Sequence, residues 1–333
     1  MTQPNEKMPL LPELSEAVKH NIEARYNRTI SGADTPLAND FEQWLSYLVE
    51  FPPWLSEADQ ARNRADFLDV SLAVHQELIR CQRTTVMRVP CPDWLRRVVR
   101  YWEDQAATVI TFNYDQLVEL AWFIFANDHE NVSNKLYPVP LAPIGSRIGN
   151  LTVDGGTASG SRPRPSLRLL KLHGSVNWWY SRPESPAGGP VYDADLDGSE
   201  WGVNGIRSLD HADIDLATID LQPMIVPPTA VKSPYYANSL LKSLWTLAGE
   251  ALKEADELVM MGFSLPITDM LVSSMLCTQL HPSARITPVN RSRGIIDRVC
   301  TTFGIDETSE RIDNRFAGLG SDAIATWVDT FVN

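Results

Sequence analysis

Three apolar runs in this chain each stop at a short polar segment, and that pattern restricts the fold more than any other feature of the sequence. The run Thr108–Phe112 ends in Asn113-Tyr114-Asp115, Leu167–Leu172 ends in His173-Gly174-Ser175, and Leu258–Met261 ends in Gly262-Phe263-Ser264. The runs are β-branched, aromatic or rich in large aliphatic residues, as buried strands require. Segments with apolar residues at three- and four-residue spacing lie between them. Strands alternating with helices predict an α/β fold: a Rossmann-like, mostly parallel sheet with an N-terminal helical layer. Open α/β sheets bind ligands in the crevice at the carboxyl ends of their strands. The three polar segments are therefore the candidate site.

The spacing divides the chain into a helical region, 1–105, packed on a core spanning 106–333. Helices are predicted over Leu11–Ile22, Phe41–Glu50 (capped by Asp40) and Ala65–Cys81, with Trp44, Phe51 and Trp54 as helix-packing core. A helix over Tyr114–Phe125 follows the first strand. Proline and glycine mark variable loops at 127–166 and 183–220. Beyond them a strand is predicted at Met224–Val226, then helices at Tyr236–Ala255, Ile267–Leu280, Ser292–Phe303 and Ala323–Val332. Arg285–Asn290 reads as a strand whose Pro288 suits a sheet edge or a strand end.

Composition excludes several classes. Among 333 residues the formal charge is −13, which repels nucleic-acid phosphates and argues against direct nucleic-acid binding. The longest apolar candidate, Leu117–Ala126, is too short for a membrane span and contains Glu119. The opening MTQPNEKMPL lacks the charged and apolar regions of a secretory signal, so a cytoplasmic location is expected. The four cysteines, Cys81, Cys91, Cys277 and Cys300, form no C-x-x-C pair, which predicts reduced thiols and no structural zinc. The acidic run Asp193–Gly198 opens like a calcium loop, but Asn204 stands where the loop needs a glutamate. No G-x-S-x-G elbow or Walker phosphate loop is present.

Each polar segment has a bland reading and a chemical one. Asn113 and Asp115 suit the cap of a following helix; they equally suit contacts to a ribose, a carboxamide or a water. His173 carries an imidazole that can move protons near neutral pH, and Gly174 permits a turn or a close ligand approach. The other histidines, His20, His75, His129, His211 and His281, read as structural. Lys171 reads as a solvated or paired residue at a strand end, and Trp178 and Trp179 as core and cleft wall. Gly262 and Ser264 precede a helix whose N-terminus suits a phosphate, although a Ser264 cap explains them as well. Asp269 suits the first turn of that helix on electrostatic grounds alone.

Taken together, ITFNYD at Ile110–Asp115, KLHGSVNW at Lys171–Trp178 and GFSLPITD at Gly262–Asp269 resemble the sirtuin-like, silent-information-regulator-type, NAD-consuming family in its bacterial defence form. The resemblance runs from roughly Met8 to Phe303. It implies that Asn113 and His173 are catalytic, and that Thr111, Asp115, Gly174, Gly262, Ser264 and Asn290 contact the dinucleotide. The implied reaction is hydrolysis of NAD at the nicotinamide–ribose bond, with NAD as substrate and no metal, in anti-phage defence by NAD depletion. A homo-oligomer or a sensor protein is the implied partner. The alternative is an NAD- or ADP-ribose-binding module without turnover.

One departure from that pattern stands out. The family opens with a strand and a Gly-Ala-Gly-type loop that cradles the dinucleotide, whereas the first glycine here is Gly32, in a polar stretch. Met8–Val18 resembles the segment on the carboxyl side of that loop. Either the natural start lies upstream or the site is incomplete. Weak NAD affinity is expected in both cases, along with exposed edges on the strands that would flank the missing one.

Overall fold

A computed structural model describes residues 11–26, 30–125, 136–144, 166–181, 190–194, 201, 217–229, 232, 235–266 and 269–332. The first three helices, α1 (Leu11–Tyr26), α2 (Phe41–Val49) and α3 (Glu57–Arg88), form over the predicted segments, with α1 and α3 running beyond them, and a further helix, α4 (Asp93–Asp104), follows. Asp40 caps α2, its carboxylate accepting from Glu42 N and Gln43 N. Ser56 caps α3 in the same way through Asp59 N, and Pro90 and Pro92 follow the end of that helix. Val18, Ile22, Trp44, Leu45, Leu48, Val70 and Val74 are buried together, and Val176 and Ile225 from the strands join the same cluster. The buried His75 ties the layers together, its Nε2 lying 2.7 Å from Val176 O. It is a structural histidine, as expected. Phe51 and Trp54 are not core: they are 65% and 76% exposed. Both sit in the Phe51-Pro52-Pro53-Trp54 connection between α2 and α3, where neither belongs to a helix face.

The remaining elements are β1 (Thr108–Thr111), α5 (Leu117–Phe123), β2 (Ala142–Pro143), β3 (Arg168–Lys171), β4 (Gly174–Ser181), β5 (Val191–Asp193), β6 (Leu221–Ile225), α6 (Ser239–Glu254), β7 (Glu257–Met261), α7 (Met270–Gln279), β8 (Arg285–Val289), α8 (Ile295–Phe303) and α9 (Ala323–Phe331). The class is α/β. Among the described residues the strands are distributed over three sheets: a parallel pair β1–β3, a parallel pair β7–β8, and a four-stranded sheet in the order β2-β5-β4-β6. In the last, β4 is antiparallel to both its neighbours. Pro288 sits in β8 opposite Met260. Its nitrogen faces the side on which Ile286 and Asn290 make only isolated bridges to Ile312 and Ala317, the edge position that proline requires.

The parallel pairs leave two strand edges open. Arg168 N donates to Ala107 O at 2.9 Å and Leu172 N to Thr111 O at 3.0 Å. By the alternation of a parallel ladder, Val109 also faces β3, while Thr108 and Ile110 direct their N–H and C=O groups to the opposite side. Likewise Arg285 N donates to Asp256 O and Gly262 N to Val289 O, both at 2.9 Å, so Glu257, Val259 and Met261 face away from β8. Among the described residues no strand pairs with either outer edge. Amide hydrogen exchange is therefore expected to be faster at Ile110 and Val259 than at their neighbours Val109 and Leu258. Equal protection at all four would mean that a further segment pairs with these edges.

Candidate functional site

Phe112 is where the three polar segments meet. It follows β1, and its ring centroid lies 5.1 Å from that of His173, which follows β3. On its other side it stacks on Phe263, which follows β7, at 4.8 Å and an interplanar angle of 29°. Residues about 60 and 150 positions apart along the chain thus converge at strand carboxyl ends, the location expected of a ligand crevice.

His173 is the chemically open group of this cluster. It is 5% exposed, and its Nε2 is buried without a hydrogen-bond partner. Burial moves its pKa down to about 4, helped by the positive charge of Lys232 and opposed by Asp269. The imidazole is therefore neutral near pH 7, with an unused ring nitrogen. Lys232 and Asp269 form an ion pair whose side chains are only 10% and 11% exposed. Asp269 occupies the N-cap position of α7 but makes no side-chain capping bond there. Its carboxylate turns to Lys232 instead.

Gly174 serves the backbone. Its φ is +81°, and a Cβ placed there would lie 1.9 Å from Met224 O. Only glycine lets the chain turn from β3 into β4 this close to β6, with Val226 N donating to His173 O at 2.8 Å. Gly262 also has a positive φ, +67°, but the space beside it is open. The following Ser264 is exposed, and its carbonyl accepts from Arg298 Nη1 at 2.6 Å. Leu265 holds φ +48° although it is buried and precedes Pro266, a strained conformation for a branched side chain.

Asn113 is exposed one residue beyond Phe112, and its N–H donates to Thr111 Oγ1 at 3.1 Å. Asp115 fulfils the capping role, its Oδ1 accepting from Leu117 N at 3.1 Å, and burial raises its pKa against the pull of Lys171. Asn290 spends its amide on the protein: Nδ2 donates to Phe263 O at 3.1 Å and Oδ1 accepts from Ser292 N at 3.0 Å. It fastens the end of β8 to the loop that carries Phe263.

Lys171 is not solvated. It is 1% exposed and pairs with the equally buried Glu119 at 2.9 Å. Its ammonium also donates to the carbonyls of Tyr114 and Asp115, beneath the segment that carries Asn113. Tyr137 donates to Glu119 at 2.6 Å, and Asn177 donates to Asp193 at 2.6 Å. Trp178 is fully buried, packed edge-on against Tyr137 with ring centroids 5.1 Å apart.

Two residues of the cluster escape sequence reasoning. Phe112 reads there as an ordinary strand residue. Lys232 has one signal, a lone cation shortly after an apolar strand and Pro227-Pro228. His129, His211, Met8 and the acidic run from residue 195 onward lie outside the described residues. Among the described residues no cluster of three metal-ligating side chains occurs and no helix is long and apolar enough to cross a membrane. Compared with protein families and with curated proteins, the chain matches none.

Proposed function

We propose that this chain cleaves the nicotinamide–ribose bond of NAD with water, yielding nicotinamide and ADP-ribose. The observation that carries this reading is the buried, neutral, unpartnered Nε2 of His173 at the strand ends, beside Phe112. In this reading the parallel pairs β1–β3 and β7–β8 are parts of one Rossmann-like arrangement, and NAD lies across their carboxyl ends. Departure of nicotinamide leaves an oxocarbenium-like ribose. Water adds to its anomeric carbon, and His173 accepts the proton that the water loses. Asn113, exposed at the rim, orients the water or a ribose hydroxyl. Thr111, Asp115, Gly174, Gly262, Ser264 and Asn290 shape the walls, several of them through the backbone duties described above. No metal enters the reaction. The biological role in this reading is NAD depletion in anti-phage defence, in the cytoplasm, with a second copy or a sensor protein as partner.

A second reading, a module that binds NAD or ADP-ribose without turnover, draws on a different observation. Among the described residues the outer edges of β1 and β7 have no pairing strand and no glycine-rich loop lies between them.

Nicotinamide release separates the two. The wild-type chain is expected to release nicotinamide from NAD, and His173→Ala to lower the rate by about 100-fold or more while its thermal melt stays near that of the wild type. Release by His173→Ala at the wild-type rate would refute the assigned role. A folded wild-type chain that binds ADP-ribose but releases no nicotinamide would establish the module reading.

A further inference from the structure

The geometry points to Lys232 as the anion-binding residue of this cleft, held in place by Asp269 as its positioning partner, with the phosphates of a ribose-phosphate ligand as the group it receives. This inference rests on the nucleotide reading above but not on turnover.

Several observations converge on one place. Lys232 and Asp269 are nine-tenths buried and paired, an arrangement that costs desolvation energy and is weak as a device for stability alone. An ammonium has three donors, and the pair with Asp269 directs one of them. Asp269 leaves the first turn of the ten-residue helix α7 without a side-chain cap, so N–H groups of that turn remain available to an acceptor. A helix N-terminus and a cation together favour negative charge. The buried Nε2 of His173 has no partner and lies within the electrostatic reach of both Lys232 and Asp269. The loop between β7 and α7 offers open space at Gly262 and an exposed Ser264.

Each member takes one task. Lys232 supplies full positive charge, and α7 supplies backbone donors. Asp269 balances the charge of the lysine and limits the directions its ammonium can take. The charge of Asp269 also reaches Tyr236, whose hydroxyl burial and that charge keep protonated. A neutral or cationic ligand would gain nothing from this arrangement. A phosphate-bearing ligand gains a charge-assisted bond in a poorly hydrated setting, where such bonds are strongest.

The test is equilibrium binding of ADP-ribose, with inorganic pyrophosphate as a second probe, to the full chain by calorimetry. Nicotinamide release is recorded separately. Lys232→Met is expected to weaken ADP-ribose binding by about tenfold or more, the loss of one hydrogen bond to a charged group, and to flatten its dependence on salt. Lys232→Arg should retain most of the affinity. Asp269→Asn, which frees the ammonium, should weaken binding less than Lys232→Met. Lys242→Met on the exposed face of α6 should leave binding unchanged. Lys232→Met strands a buried carboxylate, so the double variant Lys232→Met/Asp269→Asn, which removes both charges, serves where the single one melts early. It should fold and bind as weakly. Wild-type affinity in either Lys232→Met protein overturns the inference and leaves the hydrolase reading standing. Binding that depends on Lys232 in a chain that releases no nicotinamide upholds the inference and removes the hydrolase reading. A wild-type chain that binds neither probe overturns the inference.

Discussion

Gly174→Ala is expected to abolish stable folding or to lower stability by about 4 kcal/mol or more, beyond the usual range of single substitutions. Two costs add. An alanine at φ +81° sits in the left-handed region, which costs roughly 1–2 kcal/mol by itself. The larger cost is overlap, because the new methyl would lie 1.9 Å from the carbonyl oxygen of Met224. That oxygen is backbone within a paired strand and cannot swing away as a flexible side chain could. Gly174 pairs with Ile225, and the bond from Val226 N to His173 O closes the same corner at 2.8 Å. Relief would require parting β4 from β6, the sheet against which the helical layer packs through Val176 and Ile225. Urea denaturation, or the soluble yield where the variant does not fold, measures the effect. Stability within about 1 kcal/mol of wild type would show that the corner is pliable and would return Gly174 to a purely ligand-facing role.

In the sequence, the glycine after His173 is visible as a residue that a ligand or a turn would need, and the choice between them lies in β6, some 50 residues away. The helices are legible because their signals are local: Asp40 ahead of an apolar stripe caps α2, and the leucines of α6 fall on one face. The strand at Glu257–Met261 is legible from its apolar run. By contrast β4, Gly174–Ser181, is buried on both faces as far as Trp178, Ser175 and Asn177 included, so the short alternation Ser175-Val176-Asn177-Trp178 does not report a solvent face and a core face. The shared place of the Asn113, His173 and Gly262 segments at strand ends predicts their convergence, and Phe112 brings it about. Its partners are not legible. Lys232 pairs with Asp269 across 37 residues, and Lys171 pairs with Glu119 across 52. From the sequence Lys171 reads as solvated or paired, and only tertiary structure, which sets it against Glu119, chooses between the two.

Lys171→Met is the second substitution with a large expected effect, and it separates a structural buried charge from a solvated one. Methionine matches much of the aliphatic stem and removes the ammonium. Glu119 would then be left at 1% exposure without its cation, with Tyr137 the remaining donor among the described residues. One of its oxygens, Oε2, already lacks a partner. Breaking a buried pair from one side costs about 3–5 kcal/mol. Removing both charges behaves differently. In Lys171→Met/Glu119→Gln the stranded carboxylate disappears, and much of the lost stability should return. What does not return is the donor to the carbonyls of Tyr114 and Asp115, which holds the segment bearing Asn113. The double variant should therefore fold with about 1–3 kcal/mol still missing and with faster amide exchange confined to residues 113–116. Urea melts of the wild type, Lys171→Met, Glu119→Gln and the double variant give the coupling energy, and exchange gives its location. If Lys171→Met melted within about 0.5 kcal/mol of wild type, the ordinary range for surface substitutions, the ammonium would be hydrated and the network beneath Asn113 would hold nothing. If the double variant were no more stable than Lys171→Met alone, the loss would lie in the segment's backbone contacts rather than in an isolated charge.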